Sequence, residues 1–207
     1  MNLPNKLTVL RLCLVPVLLL VGMLPESIIP FHISCVVCAV LFIGTSVTDM
    51  LDGKIARKHG LITDFGKFLD PVADKFMVIG ALFVILYKFP ELKTIMIFTL
   101  IIVVFRELAV TSMRLVVSTG EGIVIAANSL GKIKTVSQIV AISTVFLEPV
   151  VQVIAKWIGE LIVGETLVWR TDIIPLSWAS ILFSLIMTVW SGVNYIKSYW
   201  KFLDPEK

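Results

Sequence analysis

Four aspartates stand at fixed spacing in this chain, and together they could hold divalent cations. Asp49 and Asp52 are three residues apart, and Asp70 and Asp74 are four apart, so on helices each pair projects from one face. Two such faces opposed would form a pocket of four carboxylates, whose charges repel one another unless cations compensate them. Oxygen-only ligands suit Mg²⁺ or Mn²⁺, and a pair of such ions is a known arrangement for phosphoryl transfer. The spacing therefore predicts a site for two divalent cations, Mg²⁺ or Mn²⁺.

Small and basic residues accompany the acidic pairs. Gly53 removes a side chain where a phosphate or nucleotide could approach the backbone, and Ala56 keeps the same face shallow. Arg57 presents a planar fork that binds phosphate or carboxylate through two hydrogen bonds. Gly66, four residues before Asp70, would let the second and third helices approach closely. The alternative interpretation is that the aspartates form ion pairs with nearby Lys and Arg at the membrane interface. Such ion pairs would not require glycine, alanine and arginine at these fixed positions.

The elements that position these residues are predicted to be membrane helices. The chain of 207 residues is 57% hydrophobic and 16% charged, with a mean hydropathy of +0.97, which is far outside the range of a soluble domain. Stretches long and apolar enough to cross a bilayer recur six times. We therefore expect an all-α integral membrane protein, one domain over residues 1–207, with six transmembrane helices near 7–24, 33–50, 71–87, 94–113, 134–154 and 176–196.

Two further segments have the composition of interfacial helices. Residues 2–11 begin with Pro4 and mix Leu, Lys and Thr, which suits a short N-terminal lead-in to the first span. Residues 151–170 place Trp157 and Trp169 among apolar and charged residues, as expected of an anchor at the outer face.

The orientation follows from the distribution of Lys and Arg. Of the 18 basic residues, four lie in the loops or helix ends on one side, at Lys88, Lys93, Lys156 and Arg170, and the other fourteen lie on the opposite side. The basic side is expected to be cytoplasmic. Both termini and a polar active-site cavity that contains the aspartates should then face the cytoplasm.

Other residue types that often carry chemistry contribute little. Cys13, Cys35 and Cys38 lie inside apolar stretches, and an odd number of cysteines buried in lipid gives no disulfide framework. His32 and His59 lie on either side of the second span and are interpreted as loop residues rather than ligands. Neither the cysteines nor the histidines are assigned a role, and no nucleic acid partner is expected.

The acidic residues and their neighbours resemble the complete signature of the CDP-alcohol phosphatidyltransferase family. The pattern is Asp49-x-x-Asp52-Gly53-x-x-Ala56-Arg57, eight residues, then Gly66-x-x-x-Asp70-x-x-x-Asp74, without departure at any position. Three shorter motifs look most like the family members whose acceptor is sn-glycerol 3-phosphate: Asn5-x-x-Thr8-x-x-Arg11, Arg106-Glu107-Leu108 and Gly131-Lys132-x-Lys134-Thr135.

The resemblance implies attack by a hydroxyl of sn-glycerol 3-phosphate on the β-phosphorus of CDP-diacylglycerol, with release of CMP. It implies that Asp49, Asp52 and Asp70 hold the metals, and that Asp74 both ligates a metal and acts as general base. It also implies that the protein forms a homodimer, contacts membrane lipids and lies in a bacterial cell membrane. The CDP moiety would be held by six residues: Asn5, Thr8, Gly53, Ala56, Arg57 and Thr63.

The acceptor's phosphate needs a cationic site distinct from the metals. The cytoplasmic ends of the fourth and fifth spans offer Arg106, Arg114, Lys132 and Lys134, of which the last three are favoured. Arg106 could instead form a structural ion pair with Glu107, and the two lysines could be ordinary anchors of a cytoplasmic helix end.

Three alternatives remain open at this point. The same chemistry could use another acceptor, namely inositol phosphate, serine or phosphatidylglycerol. A cation transporter would also place carboxylates in a membrane, although nearer mid-bilayer than these aspartates. A structural membrane protein would tolerate replacement of Asp74 by Asn.

Overall fold

The computed structural model describes residues 2–59, 63–120, 129–163 and 174–200, and within these ranges it leaves out the side chains of residues 3, 52, 54–59, 118–120 and 163. The described chain is all-helical, as predicted, with a 3-10 turn at Pro90–Leu92. Its six α-helices are α1 (Leu3–Met23), α2 (Phe31–His59), α3 (Asp64–Lys88), α4 (Lys93–Gly120), α5 (Ser129–Val163) and α6 (Pro175–Tyr199).

Each predicted apolar stretch corresponds to one of these helices. By length and composition, five of the six are apolar enough to cross a membrane. The exception is α3, because its first half carries five charged residues: Asp64, Lys67, Asp70, Asp74 and Lys75. The helix that carries the second acidic pair is thus polar in its first half and apolar in its second.

The two segments predicted to be interfacial are not separate elements. Residues 2–11 form the start of α1, since Pro4 lies in the first turn, where its missing N–H costs nothing, and the Asn2 side chain caps the helix by accepting from the Asn5 N–H. Residues 151–163 continue α5 without a break, and residues 164–170 lie outside the described chain. The positions of both segments relative to a membrane surface stay predictions.

The third helix is the centre of the bundle. It packs against α1, α4 and α5, while α2 packs mainly on α1 and α5, and α6 on α4 and α5. The core between these helices contains fully buried large side chains, among them Phe42, Met77, Phe89, Met96 and Phe146. Because α3 contacts so many neighbours, side chains from several helices can reach its acidic half.

Glycine lets α1 and α3 approach closely along their apolar halves. A β-carbon built at Gly22 would collide with the γ-methyl groups of Val84, and one built at Gly80 would lie 2.8 Å from Cγ1 of Val15. Both valines are almost fully buried, so neither has open space into which to move. These contacts fix the separation of the two helices.

We predict that Gly22→Ala destabilises the protein by about 1 to 3 kcal/mol relative to Gly44→Ala, because the added methyl group overpacks the contact with Val84. Gly44 is the control for the added methyl group, since a β-carbon there meets nothing within 4 Å, and alanine is the better helix former at both positions. Thermal unfolding in detergent measures the difference. Equal unfolding midpoints would contradict this description of the interface.

Candidate active site

Three buried polar side chains lie on one face of α1, close to its start. Asn5, Thr8 and Arg11 are spaced three residues apart, and each is less than a tenth exposed. Buried polar groups need partners. In each case the partner lies on the acidic segment of the chain, at the start of α3 or near the end of α2.

The first partner is Thr63, the residue that caps α3. Its hydroxyl oxygen accepts from the Gly66 N–H at 3.1 Å, and the Asn5 amide donates to the same oxygen at 2.9 Å. A β-carbon on Gly66 would lie 2.9 Å from Oδ1 of Asn5. Among the described residues, the close neighbour of Gly66 is therefore α1, and the expected approach of the second and third helices at Gly66 stays a prediction.

The other two partners are aspartates of the motif. The Thr8 hydroxyl donates to Oδ1 of Asp70 at 2.7 Å. The Arg11 guanidinium, which is 1% exposed, lies 2.5 Å from Oδ1 of Asp49, whose side chain is 41% exposed. The start of α1 thus holds one carboxylate of each acidic pair.

Asp74 lies one turn beyond Asp70, is partly buried, and faces charged groups on four helices. Its carboxylate interacts unfavourably with Asp49 and Glu107 and favourably with Lys134 and Arg11.

Pro71 lies between Asp70 and Asp74 inside α3 and has no N–H to donate to the carbonyl of the preceding turn. The helix nevertheless continues through it, so Asp70 and Asp74 project from successive turns.

The carboxylates of this region are oxygen ligands of the kind that hard divalent cations prefer. Asp49 and Asp74 interact across the α2–α3 boundary, and Arg11 supplies positive charge to both. The donors are carboxylate oxygens, which suit Mg²⁺ or Mn²⁺. Within the described residues, no three His, Cys, Asp or Glu side chains form a group that could hold a metal ion, but the described set lacks the side chain of Asp52.

Three of the residues predicted to hold a nucleotide are brought together by the structure, namely Asn5, Thr8 and Thr63. Gly53 lies on α2 one turn after Asp49. The side chains of Ala56 and Arg57 lie outside the described set, so their predicted contacts stay predictions.

The predicted phosphate-binding cations line one open cavity with Asp74. This cationic cavity has a volume of about 590 Å³ and lies between α3, α4 and α5. Seven charged residues line it: Asp74, Lys75, Arg106, Glu107, Arg114, Lys132 and Lys134.

Glu107 organises the deepest part of the cationic cavity. Its Oε1 accepts a hydrogen bond from the Lys134 ammonium and another, at 3.1 Å, from the Arg106 guanidinium. Arg106 also donates to the Ser191 hydroxyl at 2.8 Å. The ion pair considered for Arg106 and Glu107 is therefore present, and Lys134 belongs to it. All three charged side chains are less than 15% exposed.

Arg114 and Lys132 lie nearer the mouth of the cationic cavity, and both are exposed. Arg114 donates to the Tyr195 hydroxyl through Nε at 3.1 Å and through Nη2 at 2.6 Å. Sequence reasoning weighed Glu107 only as a partner of Arg106, and it did not single out Tyr195. The available signal for Tyr195 was weak, since a tyrosine near the end of an apolar helix is ordinary.

A second, larger cavity is lined by residues of α2, α5 and the start of α6, and Asp49 is one of them. It has a volume of about 970 Å³ and is lined mainly by apolar side chains such as Met50, Ile139 and Leu147, with the carboxylates of Asp49 and Glu148 also in its lining. It follows α5 from residue 135 to residue 152, a length of about 26 Å. We call it the apolar groove.

Comparison with known proteins identifies one family. A sequence model of the CDP-alcohol phosphatidyltransferases matches residues 1–190. A protein of Bacillus subtilis (strain 168) named CDP-diacylglycerol–glycerol-3-phosphate 3-phosphatidyltransferase is 38% identical, over 98% of this chain and 97% of its own. Proteins of the same name from Yersinia enterocolitica and Rickettsia felis are 31% identical (99% of each chain) and 30% identical (97% of each chain).

We predict that Thr63→Ala lowers the free energy of unfolding by about 1 to 2 kcal/mol, because it removes both the cap of α3 and the partner of the Asn5 amide. Thr63→Ser keeps the hydroxyl and serves as the control. The two variants are compared by thermal unfolding in detergent. The proposed link between α1 and α3 is contradicted by a serine variant as unstable as the alanine variant.

Proposed function

We propose, since the chain belongs to the CDP-alcohol phosphatidyltransferase family, that it transfers the phosphatidyl group of CDP-diacylglycerol to sn-glycerol 3-phosphate and releases CMP. The observation that carries this proposal is the position of Asp74. Its carboxylate lies near enough to Asp49 of α2 for the two charges to interact, and it also lines the cationic cavity. A general base must lie within hydrogen-bond reach of the proton that it abstracts, and the acceptor hydroxyl that carries this proton must lie beside the phosphorus that it attacks.

The charge of the cationic cavity favours an acceptor that carries a phosphate. Its lining has five basic side chains and two acidic ones, and Glu107 is already paired with Arg106 and Lys134. The excess positive charge, much of it near Arg114 and Lys132, suits a phosphate dianion. Serine carries no phosphate, and phosphatidylglycerol carries only the single negative charge of a phosphodiester. Inositol phosphate also carries a phosphate, so the charge of the cavity does not distinguish it from glycerol 3-phosphate. An assay with both acceptors does.

The apolar groove, which has Asp49 in its lining, offers matching surroundings for the lipid substrate. The apolar groove is long enough for an acyl chain and runs along α2 and α5, with Asp49 of the motif near one end and Glu148 near the other. Asn5, Thr8 and Thr63 at the start of α1 and α3, with Gly53, Ala56 and Arg57 on α2, would hold the cytidine diphosphate. The diphosphate would then lie between the groove and the cationic cavity.

The reaction needs one proton transfer and one displacement. The acceptor hydroxyl attacks the β-phosphorus, its proton passes to an Asp74 carboxylate oxygen, and the bond to the bridging oxygen breaks so that CMP leaves. Arg106, Arg114, Lys132 and Lys134 orient the acceptor through its phosphate. Two divalent cations held by Asp49, Asp52, Asp70 and Asp74 would, when bound, offset the charge that develops on the leaving CMP.

The proposed site lies at one end of the bundle. The starts of α1, α3 and α5 and the ends of α2, α4 and α6 meet there, and most of the Lys and Arg residues lie at the same end. We propose that this end faces the cytoplasm, with both termini there. The homodimer and the bacterial cell membrane are further parts of the proposal.

The experiment that tests the function is release of CMP from CDP-diacylglycerol by the purified protein with a panel of acceptors. We expect release with sn-glycerol 3-phosphate, little with glycerol, serine, phosphatidylglycerol or inositol phosphate, and dependence on Mg²⁺ or Mn²⁺. If CMP were released with inositol phosphate but not with sn-glycerol 3-phosphate, the reaction type would stand and the proposed acceptor would be wrong. Cation flux in sealed vesicles, without CMP release under any condition, would replace the proposal by a transporter.

We predict that Asp74→Asn lowers kcat about 10²- to 10⁴-fold and leaves the unfolding midpoint nearly unchanged, because the amide cannot accept the hydroxyl proton. Asp64→Asn is the matched control, since Asp64 lies on the same helix with a side chain that is 99% exposed. The assay is CMP release at saturating substrates. A fully active Asp74→Asn enzyme rules out the assigned base.

We predict that Lys132→Ala raises the KM for sn-glycerol 3-phosphate about three- to thirtyfold, because one exposed cation of the cationic cavity is lost. Lys93→Ala, at the opposite end of the bundle, removes an exposed lysine of the same charge and should leave this KM unchanged. Equal effects of the two substitutions would show that Lys132 contributes only to the net charge of the protein.

A further inference from the structure

We infer that Tyr195 is a positioning residue for the acceptor, because its buried hydroxyl fixes the guanidinium of Arg114 toward the cationic cavity. The inference rests on the proposed function, in which Arg114 binds the acceptor's phosphate. It assigns to α6, a helix on which sequence reasoning placed no site residue, a part in determining which acceptor binds.

The contact between the two side chains is specific. Arg114 directs Nε and Nη2 to the same Tyr195 oxygen, and its guanidinium carbon lies 5.1 Å from the centroid of the tyrosine ring. Tyr195 is 2% exposed, whereas Arg114 is exposed. The buried residue therefore serves as the fixed partner and the arginine as the side chain that is held. Because a guanidinium carries five N–H donors, these two bonds do not exhaust its capacity for a phosphate.

The preceding turn of α6 contacts the other arginine of the cavity in a similar way. Ser191 accepts from Nη2 of Arg106, and a β-carbon on Gly192 would lie 3.2 Å from Cγ of Arg106. Ser191 and Tyr195 are four residues apart and so share one face of α6. This face lies behind both arginines of α4, which are eight residues apart and likewise share a face.

The physical effect of such a partner is pre-organisation. A free arginine has many rotamers and loses most of them when it binds a phosphate. An arginine already held by a hydroxyl and a ring face has lost part of that freedom before the ligand arrives, so binding is tighter. Tyr195 is not among the residues that line the cavity and would act through Arg114, so its removal should change acceptor binding and spare the proton transfer at Asp74.

The test is Tyr195→Phe, which removes the hydroxyl and keeps the buried ring. We expect the KM for sn-glycerol 3-phosphate to rise about three- to tenfold, with kcat at saturation, the KM for CDP-diacylglycerol and the unfolding midpoint nearly unchanged. Tyr87→Phe, an exposed tyrosine near the end of α3, is the matched control and should change none of these quantities. A merely structural tyrosine would instead lower the unfolding midpoint or change both KM values together.

A double-mutant cycle with Arg114→Ala shows whether Tyr195 affects the KM for the acceptor through Arg114. In the Arg114→Ala background, Tyr195→Phe should produce no further rise in the KM for sn-glycerol 3-phosphate. The inference is overturned if Tyr195→Phe leaves this KM unchanged in the wild-type background, or raises it equally in both backgrounds.

Failure of the inference is distinguishable from failure of the proposed function. If the wild-type protein releases no CMP with sn-glycerol 3-phosphate, the function is wrong before any variant is compared. If the wild type is active and Arg114→Ala leaves the acceptor KM unchanged, the function stands while the role of Arg114, and with it that of Tyr195, is overturned.

Discussion

The structure depends on one electrostatic constraint, which is that charged side chains buried between the helices, such as Arg11 and Lys134, need carboxylate partners. Asp49 is held by Arg11, Asp70 accepts from Thr8, and Asp74 lies between favourable and unfavourable charges. These partners come from the start of α1 and from the cationic cavity. The residues that compensate the charge of these carboxylates thus also fix the direction in which each carboxylate points.

The two sources of compensation divide the site into two sides. The α1 side supplies neutral hydrogen-bonding groups and one buried arginine, and the apolar groove begins beside it. The α4–α5 side supplies lysine and arginine around Glu107. A lipid-linked diphosphate suits the first side and a small phosphorylated alcohol suits the second. Asp74 lies at their boundary, and this is why the proposed chemistry assigns the proton transfer to it.

The existence of the helices was predictable from the sequence, because the thickness of the hydrocarbon core requires apolar stretches of a certain length. The residues at which the helices begin and end were harder to predict. Nothing in residues 2–11 breaks a helix, and Pro4 favours its first turn, so the predicted interfacial lead-in is part of α1. The spacing of the aspartates predicted which of them share a face. Their partners were not predictable, because contacts such as that between Arg114 and Tyr195, 81 residues apart, depend on how the helices pack.

In the proposed reaction both substrates meet at Asp74, so that the acceptor attacks the lipid-linked phosphorus directly. The most direct measurement is exchange of labelled CMP into CDP-diacylglycerol by the purified protein in the absence of any acceptor. Direct transfer predicts no exchange until sn-glycerol 3-phosphate or its product is added. Exchange without an acceptor would mean that a side chain of the protein first takes the phosphatidyl group, and it would contradict the account.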